Sequence, residues 1–470
     1  MPRRAVPPRL IAVIDIGKTN VKVALVDLQS RAELAVQTMP NTVRPGPPYP
    51  HFDTEVMWQF ILTALTEIHE KHRIDAISVT THGACAALMT AQGDLATPVL
   101  DYEHDGPDET AAAYDSLRPA FLETGSPRLP LGLNLGAQLH WLLTRDPGLI
   151  ERVATVVTWP QYWVHRLTGA LATDVTSLGC HTDLWDPHQR KFSGLVARLG
   201  LAQKLAPALP SGEVAGVLRK DVAARTRMAP GTPVCCGIHD SNASLLPYLL
   251  GSETAFSVVS TGTWVVVMTV GGNPVTLDPQ RDTLINVNAF GDPIPSARFM
   301  GGREYARVQP PTGTQVSKAD VQSVLARNLM LFPAVEPKSG PFQGRRAQWS
   351  DPEEQISAGE RQVAVSWYLA LMTAECLRIT GARGAVRVEG PFARNSWYLS
   401  MLEAACGHGV AASASQTGTA QGAALLWAEP GTPTDARQSE SGMPRFVSPV
   451  AQDPALVAYA RMWQARVARP

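Results

Sequence analysis

Apolar residues run almost unbroken through "LIAVIDI", stop at Gly-Lys-Thr-Asn, and resume as "VKVALVD" between residues 10 and 27. The pattern predicts two buried strands joined by a turn. That turn is more polar than a hairpin needs, because two residues such as Asn-Gly suffice. Its lysine and threonine invite comparison with a phosphate-binding P-loop. That motif requires a glycine five residues before its Gly-Lys, where this chain has Ala12.

Downstream, residues 8–50 read as strands ending in the proline-rich loop "NTVRPGPPYP". "DTEVMWQFILTALTEIHEKH" spaces its apolar residues as a helix does, with Asp53 and Thr54 as cap candidates. "IDAISVTTHGACAALMT" reads as a buried strand, a polar turn and more strand. A helix is expected around "GAQLHWLLTRDPGLIERV", ended or interrupted near Pro147, and "PQYWVHRLTG" as a short helix closed by Gly169. Strands alternating with helices predict α/β architecture.

The opening pattern returns in the second half. "TAFSVVSTGTWVVVMTV" is again strand, polar glycine turn and strand, and Gly262 lies 245 residues after Gly17. A glycine flanked by hydroxyl or amide side chains lets backbone N–H groups approach an anion closely. Either turn alone reads more readily as an ordinary hairpin. Their repetition at the start of two similar halves favours a pair of phosphate-gripping turns.

Composition narrows the class. A chain of 470 residues exceeds what one core usually serves, so two domains are expected. Formal charge is -1, from 41 basic and 42 acidic residues, which gives no basic excess for nucleic acid. No apolar run is long enough for a membrane span, and "MPRRAVPPRL" has no apolar stretch behind it to make a signal peptide. Six scattered cysteines fit neither a zinc site nor a disulfide framework, and read as buried free thiols of a cytosolic protein.

Four stretches carry candidate chemistry. "CCGIHDSNASLLPYL" delivers His239 and Asp240 at the end of an apolar run, with small polar residues opening a helix. Asp240 is placed there as a general base, while Ser241 or Asn242 caps. "GPFARNSWYLSMLEAACG" starts a helix near Asn395 after Gly390 and Pro391, where a nucleotide base or its phosphates fit. The following "SQTGTAQGAALLWA" is small enough for close backbone packing. His82, Tyr102, Glu103, Asp105 and Asp108 lie just beyond strands, where open α/β sheets bind ligands. Asp108 and Glu109 read better as a solvated loop. "FMGGREYARV" offers Arg303 and Glu304 as either a phosphate contact or a surface ion pair.

With these residues assembled in this order, the chain resembles the FGGY family of carbohydrate kinases over nearly its whole length. The segments that carry the resemblance are "DIGKTNVKVALVD", "HFDTEVMWQ", "PQYWVHRLTG", "GIHDSNAS", "STGTW", "GPFARNSWYLSML" and "GTAQGAAL". The resemblance implies a two-domain α/β fold of the actin/Hsp70/hexokinase-like (ribonuclease H-like) kind, with the active site in the interdomain cleft. Its domains would be residues 1–245, with the sugar site, first phosphate loop and base, and residues 246–470, with the second phosphate loop and adenosine site.

It implies an ATP-dependent, Mg2+-requiring kinase acting on a primary hydroxyl of a ketose or related polyol. Asp240 would be the base, and Asp15 would hold Mg2+ through water. Gly17, Lys18, Thr19 and Asn20 would form the first phosphate loop, and Thr261, Gly262 and Thr263 the second. Gly390 and Asn395 would lie at the adenosine, and "GTAQGAAL" would belong to the same region. His82 and Asp105 would contact sugar hydroxyls.

Two departures stand out: Lys18 replaces the family's small residue after the loop glycine, and Val388–Phe392 replaces a glycine run. "VTTHG" and "HDSNAS" resemble the rhamnulose and fuculose kinase side of the family, so a deoxyketose is expected first and xylulose or ribulose second. The expected partners are a small sugar and ATP, with no nucleic acid or membrane; the setting is cytoplasmic, and a homodimer is left open. A non-catalytic sugar sensor on the same fold is the alternative, and it would lack Asp15 or Asp240, both of which are present.

Overall fold

The computed structural model describes residues 8–251, 254–412, 418–428 and 453–468. Two compact units divide these residues. The first opens with β1 (Leu10–Ile16), β2 (Asn20–Asp27) and β3 (Glu33–Pro40), followed by helix α1 (Thr54–Lys71) and β4 (Ala76–Thr81). Helix α2 (Trp159–Thr168), β5 (Val214–Val217), β6 (Pro233–Cys235), β7 (Ile238–His239) and helix α3 (Asp240–Leu249) complete its ordered frame. The sheet order is β5-β6-β4-β1-β2-β3, and β7 also pairs with β4. The β1–β2 and β2–β3 pairs are antiparallel, whereas β4 runs parallel to β1.

Strand β1 is buried on both faces, as its unbroken apolar run predicts. Side chains alternate along a strand, so Ala12, Ile14 and Ile16 join the cluster under α1, while Ile11 and Val13 join the opposite cluster with α3. Asp15 shares the parity of Ile11 and Val13 and therefore points to the α3 side. On α1, Met57, Ile61, Ala64, Leu65 and Ile68 make one buried stripe, each large aliphatic chain contributing about 1.5–3 kcal/mol by burial. Asp53 caps this helix by accepting from Val56 N at 3.2 Å, as its sequence position predicts. The next predicted helix runs from Leu135 to Arg145 and stops before Pro147. Helix α2 ends at Gly169, whose φ of 84° is the left-handed turn that glycine adopts readily.

The second unit opens with β8 (Phe256–Thr261) and β9 (Val265–Val270), followed by β10 (Pro293–Phe299) and helices α4 (Gly301–Val308) and α5 (Ala358–Ile379). Then come β11 (Ala385–Glu389), helix α6 (Ser396–Cys406) and β12 (Val410–Ala412). Its sheet runs β10-β9-β8-β11-β12 over these strands. Helix α5 is buried on nearly every side from Val363 to Leu377, so it forms the spine of this unit's core.

Helix α7 (Thr419–Ala424) then belongs to the first unit again. Ala420, Ala423 and Ala424 fill the cluster on the Ile11–Val13 face of β1, and a Cβ on Gly422 would collide with the Ala243 carbonyl of α3. The Gly/Ala density of "GTAQGAAL" thus serves close packing on α3. All six cysteines are free, five buried and Cys406 partly so. No helix among the described residues is long and apolar enough to cross a membrane.

Candidate active site

Each glycine turn is closed by the N–H of its own glycine, across four residues in the first and three in the second. Gly17 N donates to Asn20 O at 2.9 Å, closing the β1–β2 hairpin; Gly262 N donates to Trp264 O at 2.8 Å, closing β8–β9. A Cβ at Gly17 would sit 3.3 Å from Asn20 O, whereas one at Gly262 would meet nothing closer than 3.8 Å. Asn20 donates from Nδ2 to the Thr19 hydroxyl at 3.1 Å, leaving the polar tip of the first turn at the surface.

Asp15 sits one residue before this turn's strand ends, opposite Lys22 on β2 and Thr80 on β4. The Thr419 hydroxyl of α7 donates to Asp15 Oδ2, a contact the chemistry of the opening motif gives no hint of. Burial pushes the Asp15 carboxyl up to about 6, against the bond from Thr419, and the nearby charge of Asp240 adds to the rise. The Asp15 carboxyl, with the charge of Asp240 felt there and a hydroxyl alongside, offers the hard oxygen environment that hydrated Mg2+ takes. Among the described residues no group of three or more His, Cys, Asp or Glu is clustered to hold a metal by itself. Such a site fits an ion held mainly by water and phosphate, as Mg2+ commonly is.

Asp240 is the first residue of α3, and His239 takes the N-cap position expected of Ser241 or Asn242. The Asp240 carboxylate accepts from Ser241 N at 2.6 Å and lies 3.2 Å from His239 Nε2. Cys180 Sγ stands 3.9 Å from the same nitrogen, and Asn242 Nδ2 lies 3.5 Å from His239 Nδ1. Burial works to lower the His239 pKa, yet Cys180 and Asp240 together hold its proton more tightly than usual. A Cβ on Gly83 would reach within 2.7 Å of His239 Nε2, so "THG" keeps its glycine to let this imidazole in.

His82 follows β4 and lies in an aromatic cluster. Its ring centroid is 5.2 Å from Phe52, 5.3 Å from Tyr102 and 6.4 Å from Trp159. His82 Nδ1 is 2.9 Å from the Gly83 carbonyl and so carries the proton, while Nε2 is buried without a hydrogen-bond partner among the described residues. Burial lowers the His82 pKa, and the charges of Asp240 and Lys18 are both felt at its ring.

Lys18 leaves the turn for this cluster. Its ammonium pairs with Asp101 and lies 3.2 Å from Glu103, 4.9 Å from the Tyr102 ring centre and 5.3 Å from that of Phe52. The carboxylates beside the cluster are therefore Asp101 and Glu103. Asp105 is 83% exposed and lies 3.5 Å from His104. Asp108 accepts from Leu131 N at 3.0 Å as an exposed residue of the short 3-10 helix Gly106–Thr110.

In the second unit, a Cβ on Gly390 would strike the Thr261 carbonyl, and its φ of 81° is left-handed, so this glycine lets the ends of β8 and β11 touch. Thr261 Oγ1 donates to Glu389 O and accepts from Phe392 N at 3.1 Å. Gly302 abuts the Gly262 carbonyl in the same way and brings the start of α4 onto the second turn. Asn395 caps α6 through Tyr398 N at 3.2 Å and donates to Ser366 Oγ at 2.9 Å.

Gly262, Thr263, Gly302, Arg303, Phe392 and Asn395 line part of one cavity of about 620 Å³. Arg303 is half-exposed at its rim, 4.0 Å from Glu336. Glu304 is fully buried instead, taking Tyr368 OH at 2.9 Å and Glu336 N at 3.0 Å. Its burial pushes its carboxyl up to about 7.

Residues 10–247 match the model of the FGGY family of carbohydrate kinases, N-terminal domain, and residues 253–436 match carbohydrate kinase FGGY, C-terminal domain. An L-fuculokinase from Salmonella typhi is 29% identical over 274 residues, which cover 56% of this chain and 57% of that protein. The match thus spans little more than half the length of that relative. A solved carbohydrate kinase from Novosphingobium aromaticivorans is 35% identical, superposes with a TM-score of 0.88, and covers 98% of this chain and 99% of its own. A ligand-bound xylulose kinase from Lactobacillus acidophilus shares the fold, with a TM-score of 0.78 at 15% identity, over 98% of this chain and 97% of its own. The expected two-domain α/β fold is the one these structures have.

Proposed function

The chain belongs to the FGGY family of carbohydrate kinases, and from that premise we propose that it transfers the γ-phosphoryl group of ATP to a primary hydroxyl of a ketose. The observation that carries this reading is the convergence on Asp240: its charge is felt at Asp15, at His82 and at Tyr102. One carboxylate thus lies within electrostatic reach of both a candidate Mg2+ residue and an aromatic cluster suited to a sugar.

Each unit has its part. In the first, Asp240 accepts the proton of the attacking hydroxyl, His82 Nε2 accepts from another sugar hydroxyl, and Gly17, Thr19 and Asn20 offer the first turn to phosphate. Asp15 would hold Mg2+, and that ion would supply charge neutralisation at the phosphates. In the second unit, Thr261, Gly262 and Thr263 offer backbone to phosphate, and the cavity from Gly302 to Asn395 takes the nucleotide. Phosphoryl transfer through a loose transition state needs positioning and charge stabilisation above all, so the base guides the nucleophile and needs no large pKa shift.

A deoxyketose such as L-fuculose or L-rhamnulose is the favoured sugar. The buried faces of Phe52 and Trp159 and the partly buried Tyr102 suit a ligand with an apolar methyl end, and an L-fuculokinase is among the relatives. D-Xylulose and D-ribulose come second. The experiment is an ATP-consumption screen over ketoses, aldoses and polyols. Turnover confined to a ketose supports the reading, and ATP consumption with no sugar in the panel overturns it.

A further inference from the structure

Lys18 is the position where this chain departs from the small residue expected after the loop glycine, and its side chain does not stay with the loop. The ammonium lies over the rings of Phe52 and Tyr102 and pairs with Asp101 and Glu103. We propose that Lys18 is a sugar-recognition residue that selects neutral ketoses, its ammonium donating to a hydroxyl or carbonyl oxygen of the sugar. The inference rests on the kinase reading above and adds to it the residue that sets the sugar class.

Three observations carry it. An ammonium has three N–H donors, and two carboxylates take two of them, so one donor remains for a ligand. His82 Nε2, on the ring that touches both Phe52 and Tyr102, is a buried acceptor left without a partner among the described residues. A buried polar atom in that state calls for a partner the protein does not supply, and a sugar hydroxyl is one. The same cluster therefore holds a spare donor and a spare acceptor beside aromatic faces.

Charge then decides the class. Asp101 and Glu103 outnumber the single cation, so the group carries a net negative charge, with the charge of Asp240 also felt at His82. A sugar acid would meet repulsion, whereas a neutral polyhydroxylated ligand finds donors and acceptors in place.

The test compares wild type with Lys18→Met and Lys18→Arg, using whichever of L-fuculose, L-rhamnulose, D-xylulose and D-ribulose wild type turns over fastest. Loss of one charged hydrogen bond should raise the sugar KM of Lys18→Met about tenfold or more, with the ATP KM within about twofold. Lys18→Arg, which keeps the charge, should recover part of the loss.

A raised ATP KM with unchanged sugar KM would return Lys18 to the phosphate loop and overturn the proposal. No change in either constant, in protein with a normal melting curve, would make it a surface ion pair and overturn it too. Should Lys18→Met not fold, the sugar-against-ATP split in Lys18→Arg decides. Calorimetric titration of the same four sugars without ATP separates the two readings: a wild type that binds a sugar but consumes no ATP breaks the kinase reading alone. Lys18 variants with undiminished sugar binding break this one.

Discussion

His239 Nε2 lies 3.2 Å from Asp240 Oδ1, so the residue that ends β7 braces the carboxylate that begins α3. The bracing imidazole is buried, whereas the Asp240 side chain keeps 30% of its surface open. Fixed on one side and open on the other, this carboxylate is placed to meet a ligand hydroxyl.

Asp240→Asn keeps the shape of that group and removes its basicity. Turnover should fall by about two to four orders of magnitude, while ATP and sugar still bind. Coupled ADP release, calorimetry and a melting curve separate the outcomes. Near-normal turnover in a folded variant would sink the assignment of the base, and lost binding would make Asp240 a positioning residue.

Gly262→Val tests the second turn under favourable conditions. A Cβ there has room within the protein, the nearest atom being Trp264 O at 3.8 Å, so the variant should fold. The added side chain should nonetheless block close approach of phosphate to the backbone and raise the ATP KM, with the sugar KM changed far less. Unchanged ATP kinetics would remove phosphates from this turn.

His82→Ala should weaken sugar use and spare ATP binding measured without sugar. The ring also packs on Phe52 and Tyr102, so some loss of melting temperature is expected from packing alone. A loss of stability with an intact sugar KM would leave His82 as a core histidine.

Asp15 should oppose stability to activity. Burial raises its pKa from 3.8 to about 6, so the folded protein favours the protonated form. The sign follows from linkage: the unfolded chain releases this proton first, so stability is greatest below pH 4 and declines as pH rises towards 6. Asp15→Asn removes the buried charge. It should melt higher than wild type at pH 7.5, with the gap closing by pH 4, yet lose most kinase activity at any pH. A variant that melts lower at pH 7.5 would show that the ionised carboxylate has a stabilising partner.

The strand-turn-strand pattern was legible because burial and turn chemistry are local. The Gly17 and Gly262 turns close as the residues around them predict, and Asp53 caps α1 for the same reason. Placement of the acids after residue 100 was not legible. Asp101 and Asp105 look alike in sequence, but Asp101 Oδ1 accepts from Glu103 N at 3.2 Å and is held inward, whereas Asp105 faces solvent. Lys18 followed the same rule: its backbone belongs to the turn, and only tertiary packing decides where a long side chain ends. The Thr419 contact with Asp15 spans 404 positions and leaves no periodic trace.

That span also governs the order in which the protein can be made. On the ribosome, β1 and α3 emerge long before residues 418–428, and domains generally fold as they are synthesised. Until α7 emerges, Ile11, Val13 and Ala243 lack the alanines that cover them, and Asp15 lacks its hydroxyl donor. The nascent first unit therefore carries an uncovered apolar face while residues 294–416 of the second are translated. A chain cut short before Thr419 would leave that face open, the kind of exposed apolar surface that chaperones and proteases act on.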